Sequence, residues 1–293
     1  MFVGGEPHKL ALRELEDALK LKDPGACLMA LVTSPSNSAS LDTVYVPTKL
    51  TKAVLELKNE GCNNLYVLIY AFGGSIYFPE IFEKVVRGIG IDEIAFIVPT
   101  RSGANASLLI LSNYNKLYVN SWTIMDPFNI TISVPPAAPK DISLFLGISE
   151  YLMSLVKGEK KDLASQISGQ ALSIMASHGI LYEYIEAERL LNYLDTIIEN
   201  KIKPKLKVSL QEFKDSFVGT EERPPVSLSG LEVAEMFKDV VVMDREEAEI
   251  GRLSNNLENL LMEMVESRGA GGVLLTRKRE VLIGGVPVIQ LPS

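Results

Sequence analysis

Cysteine, histidine and tryptophan are scarce in this 293-residue chain, with two, two and one respectively. Cys27 and Cys62 are too few for a disulfide framework or a cysteine-based zinc set. Both lie in or beside apolar segments, so two buried structural thiols are the expectation. His8 and His178 sit far apart in the sequence, and no metal-ligand cluster or phosphate-binding P-loop is present. No metal and no cofactor is therefore expected. Basic charge is in deficit, with 29 Lys and Arg against 37 Asp and Glu, a net charge of −8. That argues against a nucleic-acid partner, which needs a basic stripe. The one dense basic run, Lys201 to Lys207, reads as a solvated helix end. No segment approaches the ~20 apolar residues of a membrane helix. No charged start leads into an apolar stretch of signal-peptide type. A soluble, cytoplasmic protein without a membrane span is the expectation. Internal repeats and low-complexity tracts are absent.

Apolar residues are plentiful, at 47%, enough for a sizeable core. The organising stretch runs from Asn64 to Ile130. Leu65 to Ala71 is a short, nearly unbroken apolar run, as in a strand buried on both faces. Gly73 and Gly74 follow, where the chain turns sharply or lets something approach its backbone. Phe78 to Ile89 carries apolar residues at helical spacing, and Ile94 to Val98 is a second buried strand. Pro99 ends it. Ser102 to Ser107 is a small-residue turn leading into an apolar helix, Leu108 to Ser112, and Leu117 to Val119 is a third strand. Strand, turn, helix repeated in this way is a parallel α/β pattern. It puts two small-residue turns at the carboxyl ends of neighbouring strands, where such folds place their sites.

Around this stretch, Lys9 to Leu21 is an amphipathic helix that packs on the sheet or on a second subunit. Cys27 to Thr33 is a strand, Ser34 to Ser38 a polar loop, Val44 to Val46 a short strand, and Leu50 to Glu60 a helix stopped by Gly61. Ile130 to Lys140 is proline-rich and reads as an extended connector. Helices are expected over Asp141–Val156, Leu163–Ala176, Leu181–Glu199, Ser229–Phe237 and Glu246–Glu266. A short helix starts at Ser209 with a capping box, and Gly219 to Pro225 is a loop. Val240 to Met243 is a short strand, and a hairpin joins Val273–Leu275 to Val281–Ile283. The expected division is an N-terminal helix over 1–25, a core over 26–135, and a mainly helical C-terminal extension over 136–293 that packs on the core.

Phe72-Gly73-Gly74, then Val98-Pro99-Thr100-Arg101-Ser102-Gly103-Ala104-Asn105-Ala106-Ser107 before an apolar helix, resemble the Clp–crotonase superfamily. Within it they are similar to the serine dehydrogenase-type proteinases, relatives of signal peptide peptidase A. Ile124-Met125-Asp126-Pro127 resembles a later family motif, and Gly219 to Ala234 does so loosely. The resemblance spans about Ala26 to Val242. It implies a Clp–crotonase-like parallel-sheet core, acyl chemistry on peptide or protein substrates, and assembly into a homo-oligomer.

The resemblance also assigns roles. Gly73 and Gly74 become the oxyanion-binding amides, against the plainer reading of a tight turn. The nucleophilic Ser is expected at Ala104, or at Asn105 if counted back from Leu117. Neither residue is a nucleophile. Either the hydroxyl has been lost, or a Ser has been replaced by Ala, or Ser102 serves through a shifted loop. Ser107 matches the family's Thr, a capping or packing position. Signal peptide peptidase relatives use a Lys base, for which Lys140 is the candidate against a plain surface role. His8 reads as a surface residue and His178 as a packed or capping one. Asp126 reads as a turn residue, and Trp122 as a pocket wall or core filler. Three functions stay open: a serine endopeptidase-like enzyme with doubtful hydrolysis, a non-catalytic peptide-binding or assembly protein, and an acyl-thioester enzyme of crotonase type.

Overall fold

In the computed structural model, residues 6–34, 46–128, 131–132, 140–141, 180–218 and 225–284 are described. The chain divides into two units, one of residues 1–128 and 201–293, the other of residues 129–200.

The first unit is α/β with a mostly parallel central sheet. Strands β1 (Ala26–Thr33), β2 (Asn64–Phe72), β3 (Glu93–Val98) and β5 (Lys116–Val119) lie side by side and parallel. Every residue of β1 is buried, as expected of a strand covered on both faces. Helices separate β1, β2, β3 and β5, which is what parallel pairing requires. Two later strands extend this sheet. β10 (Val240–Val242) joins β5 in parallel, and β11 (Gly272–Leu275) pairs antiparallel with β1 and, through the expected hairpin, with β12 (Glu280–Ile283). A side branch leaves the end of β2: β4 (Arg101–Gly103) pairs with it, then β6 (Ile124–Met125), then β9 (Leu228–Ser229).

One face of the sheet is covered by α1 (Pro7–Lys20) and the long helix Ala248–Ser267. Leu12, Leu15, Leu257 and Leu261 meet Leu28, Ala30, Leu68 and Val273 there. The apolar stripe of α1 is thus spent within the chain, on the sheet. On the other side α2 (Val46–Asn59), α3 (Phe78–Gly88) and α4 (Asn105–Asn113) pack in succession, with Phe82 against Phe96 at 5.8 Å. Residues after Lys201 are tied in by Phe213, Phe217 and Phe237, grouped with Phe128. The capping box forms at Ser229–Glu232, where both reciprocal bonds are present. Ser209 makes the side-chain half, accepting from the Glu212 N–H at 3.2 Å.

Several expectations are corrected. Cys27 and Cys62 are bonded to each other. The register explains it: Cys27 lies opposite Leu65, and Cys62 comes two residues before β2 begins. Val46 opens α2 instead of ending a strand. His8 is buried, with Nε2 3.1 Å from Glu280, because α1 lies beside the β11–β12 hairpin. Trp122 is 54% exposed and fills no core. In the second unit β7 (Thr131–Ile132) pairs antiparallel with β8 (Lys140–Asp141), and Ile180–Ile197 is helical. Asp141 is a strand residue where a helix start was expected, and the rest of the expected helices over 141–156 and 163–176, His178, the loop residues 35–38 and 219–224, and most of the proline-rich connector lie outside the described residues.

Candidate functional site

The site is built where β2 and β4 stop. Phe72 ends β2, and Gly73 (φ 79°) and Gly74 (φ 118°) carry the chain out through conformations that disfavour side chains. β4 runs beside that end, with Ala71 opposite Ser102 and Phe72 opposite Gly103. Gly103 has no room for a side chain: a Cβ there would lie 2.7 Å from the Phe72 ring. Ala104 follows at φ 47° and ψ −118°, and Asn105 starts the wholly buried helix α4. A residue with a Cβ is held in glycine's territory at a sharp strand-to-helix turn. That is the backbone shape of a nucleophile elbow, and it costs of order 1–3 kcal/mol and persists only where the surroundings enforce it.

Asn105 bridges the two turns. Its Nδ2 donates to the Gly74 carbonyl at 2.6 Å, while its Oδ1 is buried and unpartnered. The Gly73 N–H donates to the Gly103 carbonyl at 3.3 Å. Gly73 is therefore engaged in extending the β2–β4 ladder, and the pair of free oxyanion donors expected from the sequence reduces to Gly74 at most. Space beside Gly73 is open, since a Cβ there would meet no atom within 4 Å. Ser102 is fully buried, with Oγ 3.0 Å from Ser107 Oγ, and Ser107 Oγ also donates to the Ser102 carbonyl at 3.3 Å. The two hydroxyls serve each other beneath the turn. Lys140 lies in the two-stranded ladder of the second unit, opposite Ile132. Its side chain is outside the described atoms.

Residues to which the sequence assigned no site role lie around this turn and on the sheet face. Arg101 grips Asp126 through Nε at 2.9 Å and Nη2 at 3.2 Å, and lies over the Phe72 ring. Ser227 Oγ donates to Asp126 at 2.7 Å, which fixes β9 to β6. On the sheet face below the long helix, Glu258 is buried and hydrogen-bonded to Thr100, with Oε2 unpartnered. Burial lifts its carboxyl to about 7, against the opposing bonds from Thr100. Burial also raises the Tyr70 hydroxyl, with the nearby Glu258 adding to the effect. A sequence signal for Glu258 existed: it continues the spacing Ile250, Ser254, Glu258 on the buried face of its helix.

At the far end of α4, Lys205 Nζ donates to the carbonyls of Leu111 (3.1 Å) and Ser112 (3.0 Å) and sits 4.3 Å from the Tyr114 ring centre. Burial pulls its amine down to about 7. The expected solvated basic run thus turns one lysine inward to cap α4, the helix that follows Ala104. For metals, Glu6, His8 and Glu280 come within ligand spacing. Lys9 and Arg268 already hold Glu280, which leaves a crowded ion-pair cluster and not a vacant cation cage. Among the described residues no helix is long and apolar enough to cross a membrane.

The strain at Ala104 gives a direct test. Ala104→Gly should raise stability by about 1 kcal/mol: the relieved strain exceeds the extra chain entropy of glycine in the unfolded state. A urea unfolding midpoint that falls instead would show that the turn is not strained. No family model matches the chain, and no curated protein matches it either.

Proposed function

We propose that this chain is a Clp–crotonase-type protein, related to the serine dehydrogenase-type proteinases, that binds a peptide or acyl group at its paired turns without hydrolysing it. The observation carrying this reading is Ala104, which keeps the elbow conformation while offering a methyl where attack would need a hydroxyl. A fold under no pressure to keep that turn would be expected to relax it. Gly74 and the α4 N-terminus are the backbone amides this reading assigns to a carbonyl oxygen, the Gly73 N–H being engaged by Gly103. Ser102 offers no replacement nucleophile, because its hydroxyl is buried against Ser107. Homo-oligomeric assembly belongs to the same proposal, on the resemblance alone, and a monomer mass by light scattering would refute that part. A cytoplasmic location is also part of it.

Fluorophosphonate labelling tests the reading. The chain as written should neither label nor cleave casein. Ala104→Ser should label only if a base survives, and Ala104→Ser with Lys140→Ala identifies whether that base is Lys140. Labelling of the unmodified chain that disappears in Ser102→Ala would overturn the proposal and make the protein a hydrolase.

A further inference from the structure

Glu258 sits under the corner where β3 gives way to β4, and it is 2% exposed. Its Oε1 accepts the Thr100 hydroxyl, and the Thr100 backbone N–H acts on the same carboxyl. Oε2 has no hydrogen-bond partner among the described residues. Thr100 is also where the chain is anchored to β6. Its carbonyl accepts the Ile124 N–H at 2.8 Å, and β4 runs from there to the Ala104 turn. The second strand beside Glu258 is β2. Its carboxyl acts on the Tyr70 hydroxyl, and Tyr70 falls opposite Arg101 when the β2–β4 register is continued. One buried carboxyl thus lies beside both strands that end in the paired turns, β2 before Gly73 and β4 before Ala104.

A buried carboxyl is costly to ionise without a cation beside it. Burial and Thr100 are what act on Glu258, with no cation among them. Around the Glu258–Tyr70 pair the charges are Arg101 on β4 and Glu266 on the long helix. Glu266 adds only repulsion. Charges on the other elements that pack on the long helix are spent elsewhere: Glu16 of α1 on Lys20, Glu280 of the hairpin on His8 and Arg268, Asp244 on Ser121. Arg101 itself is held by Asp126 of the β6 end, through Nε at 2.9 Å and Nη2 at 3.2 Å. An anion at Glu258 competes with Asp126 for that guanidinium. We infer that Glu258 is a positioning residue that ties the paired turns to its own charge: neutral, it holds β4 in place; ionised, it draws Arg101 from Asp126 and loosens β4 from β2 and β6. The proton leaves to solvent and returns when the pH falls. Because burial lifts the carboxyl to about 7, the change falls in the neutral range. As regulation of a binding site this rests on the proposed role of the turn pair; as a coupling between Glu258 and the turns it does not.

Amide exchange, read by NMR on the full isotope-labelled chain between about pH 6 and about pH 8 with no ligand present, tests the coupling. Two amides report on β4 directly. Gly73 N–H is bonded to the Gly103 carbonyl at 3.3 Å, and Asp126 N–H to the Ser102 carbonyl at 2.9 Å. Their protection factors, corrected for the intrinsic effect of pH, should fall roughly tenfold or more as the pH rises. In Glu258→Gln, neutral throughout, protection should stay level. Lys205 is the rival source, because burial brings it to about 7 as well and it caps the far end of α4. In Lys205→Met the fall should persist. Thr100→Val removes a bond that favours the anion, so the midpoint of the fall should move up by about half a pH unit or more. That variant decides if Glu258→Gln does not fold. Level protection in the unmodified chain would overturn the inference. So would a fall that survives in Glu258→Gln or vanishes in Lys205→Met, or a midpoint unmoved in Thr100→Val. A turn pair that binds no peptide or acyl group would sink the proposed function and leave the coupling to be judged on exchange alone.

Discussion

Gly230→Ala is expected to destabilise the fold by more than about 3 kcal/mol, at the severe end of overpacking changes. Gly230 opens the helix Gly230–Met236, directly against the end of β5. A Cβ there would lie 1.9 Å from the Asn120 carbonyl oxygen and 3.2 Å from Val119 Cγ2. The oxygen cannot swing aside, because it accepts the Thr123 N–H at 3.0 Å, and the Asn120 side chain is tied to the Pro99 carbonyl at 2.8 Å. Relief would require the helix to lift off the strand, pulling β9 away from β6 and breaking the Ser227–Asp126 bond. Gly251→Ala makes the contrast. Its Cβ would meet Asn120 Oδ1 at 3.1 Å and Met243 Cβ at 3.2 Å, tight contacts relieved by a small shift and not a clash with a backbone oxygen. The helix propensity gained by alanine, up to about 1 kcal/mol, works in the opposite direction. The expected cost at Gly251 is about 1 kcal/mol or less. Gly88→Ala, with nothing within 4 Å of the new methyl, should be neutral or stabilising. Urea midpoints of the three variants test the order, and a Gly230→Ala protein as stable as Gly88→Ala would show that the helix is not seated on Asn120.

How far the sequence could be read follows from where its information was local. Leu65–Ala71 and Ile94–Val98 are apolar runs too short for helices and bounded by Gly and Pro, so their place as buried parallel strands was legible. So were the turns at Gly73-Gly74 and Ser102–Ser107, and the helix faces of α1 and α3. Partner choice was not local. Val240–Met243 and Val273–Leu275 read as strands, but nothing in them says that one joins β5 in parallel and the other β1 antiparallel. That pairing is what puts residues after 201 in the same unit as the first 128. Single side chains inside polar runs were also illegible. Lys205 looks like its neighbours until Tyr114 and two helix-end carbonyls select it. His8 looked exposed because its partner, Glu280, is 272 residues away. At the site, counting from Val98-Pro99 located Ala104, but its strained φ and ψ depend on β4 being held against β2. The commitment of the Gly73 N–H to Gly103 depends on the same pairing.

Two buried ionisable groups should give the stability of this protein a dip near neutral pH. Glu258 is lifted to about 7 chiefly by burial under the long helix, with Thr100 bonded to it and Tyr70 nearby. Its unfolded value is near 4.5. The native state therefore holds a proton that the unfolded state has lost. The stabilisation is complete below pH 4.5 and is lost as pH rises through about 7. Lys205 behaves in the opposite sense. Burial lowers it from 10.5 to about 7 against the pull of Glu83, while Lys201 and Arg87 add to the lowering. Its contribution is complete above pH 10.5 and is lost as pH falls through about 7. At about 1.4 kcal/mol per pH unit of separation, the Glu258 limb is worth of order 3 kcal/mol and the Lys205 limb of order 5 kcal/mol. Unfolding free energies measured in urea should therefore fall from pH 4.5 to 7 and rise again towards pH 10. Glu258→Gln should flatten only the acid limb, and Lys205→Met only the alkaline one. Met cannot bond the Leu111 and Ser112 carbonyls, so its curve should also sit lower above pH 10, where the neutral amine is most favourable. Limbs that keep their slopes in both variants would assign the pH dependence to other groups and leave Glu258 and Lys205 as packing residues.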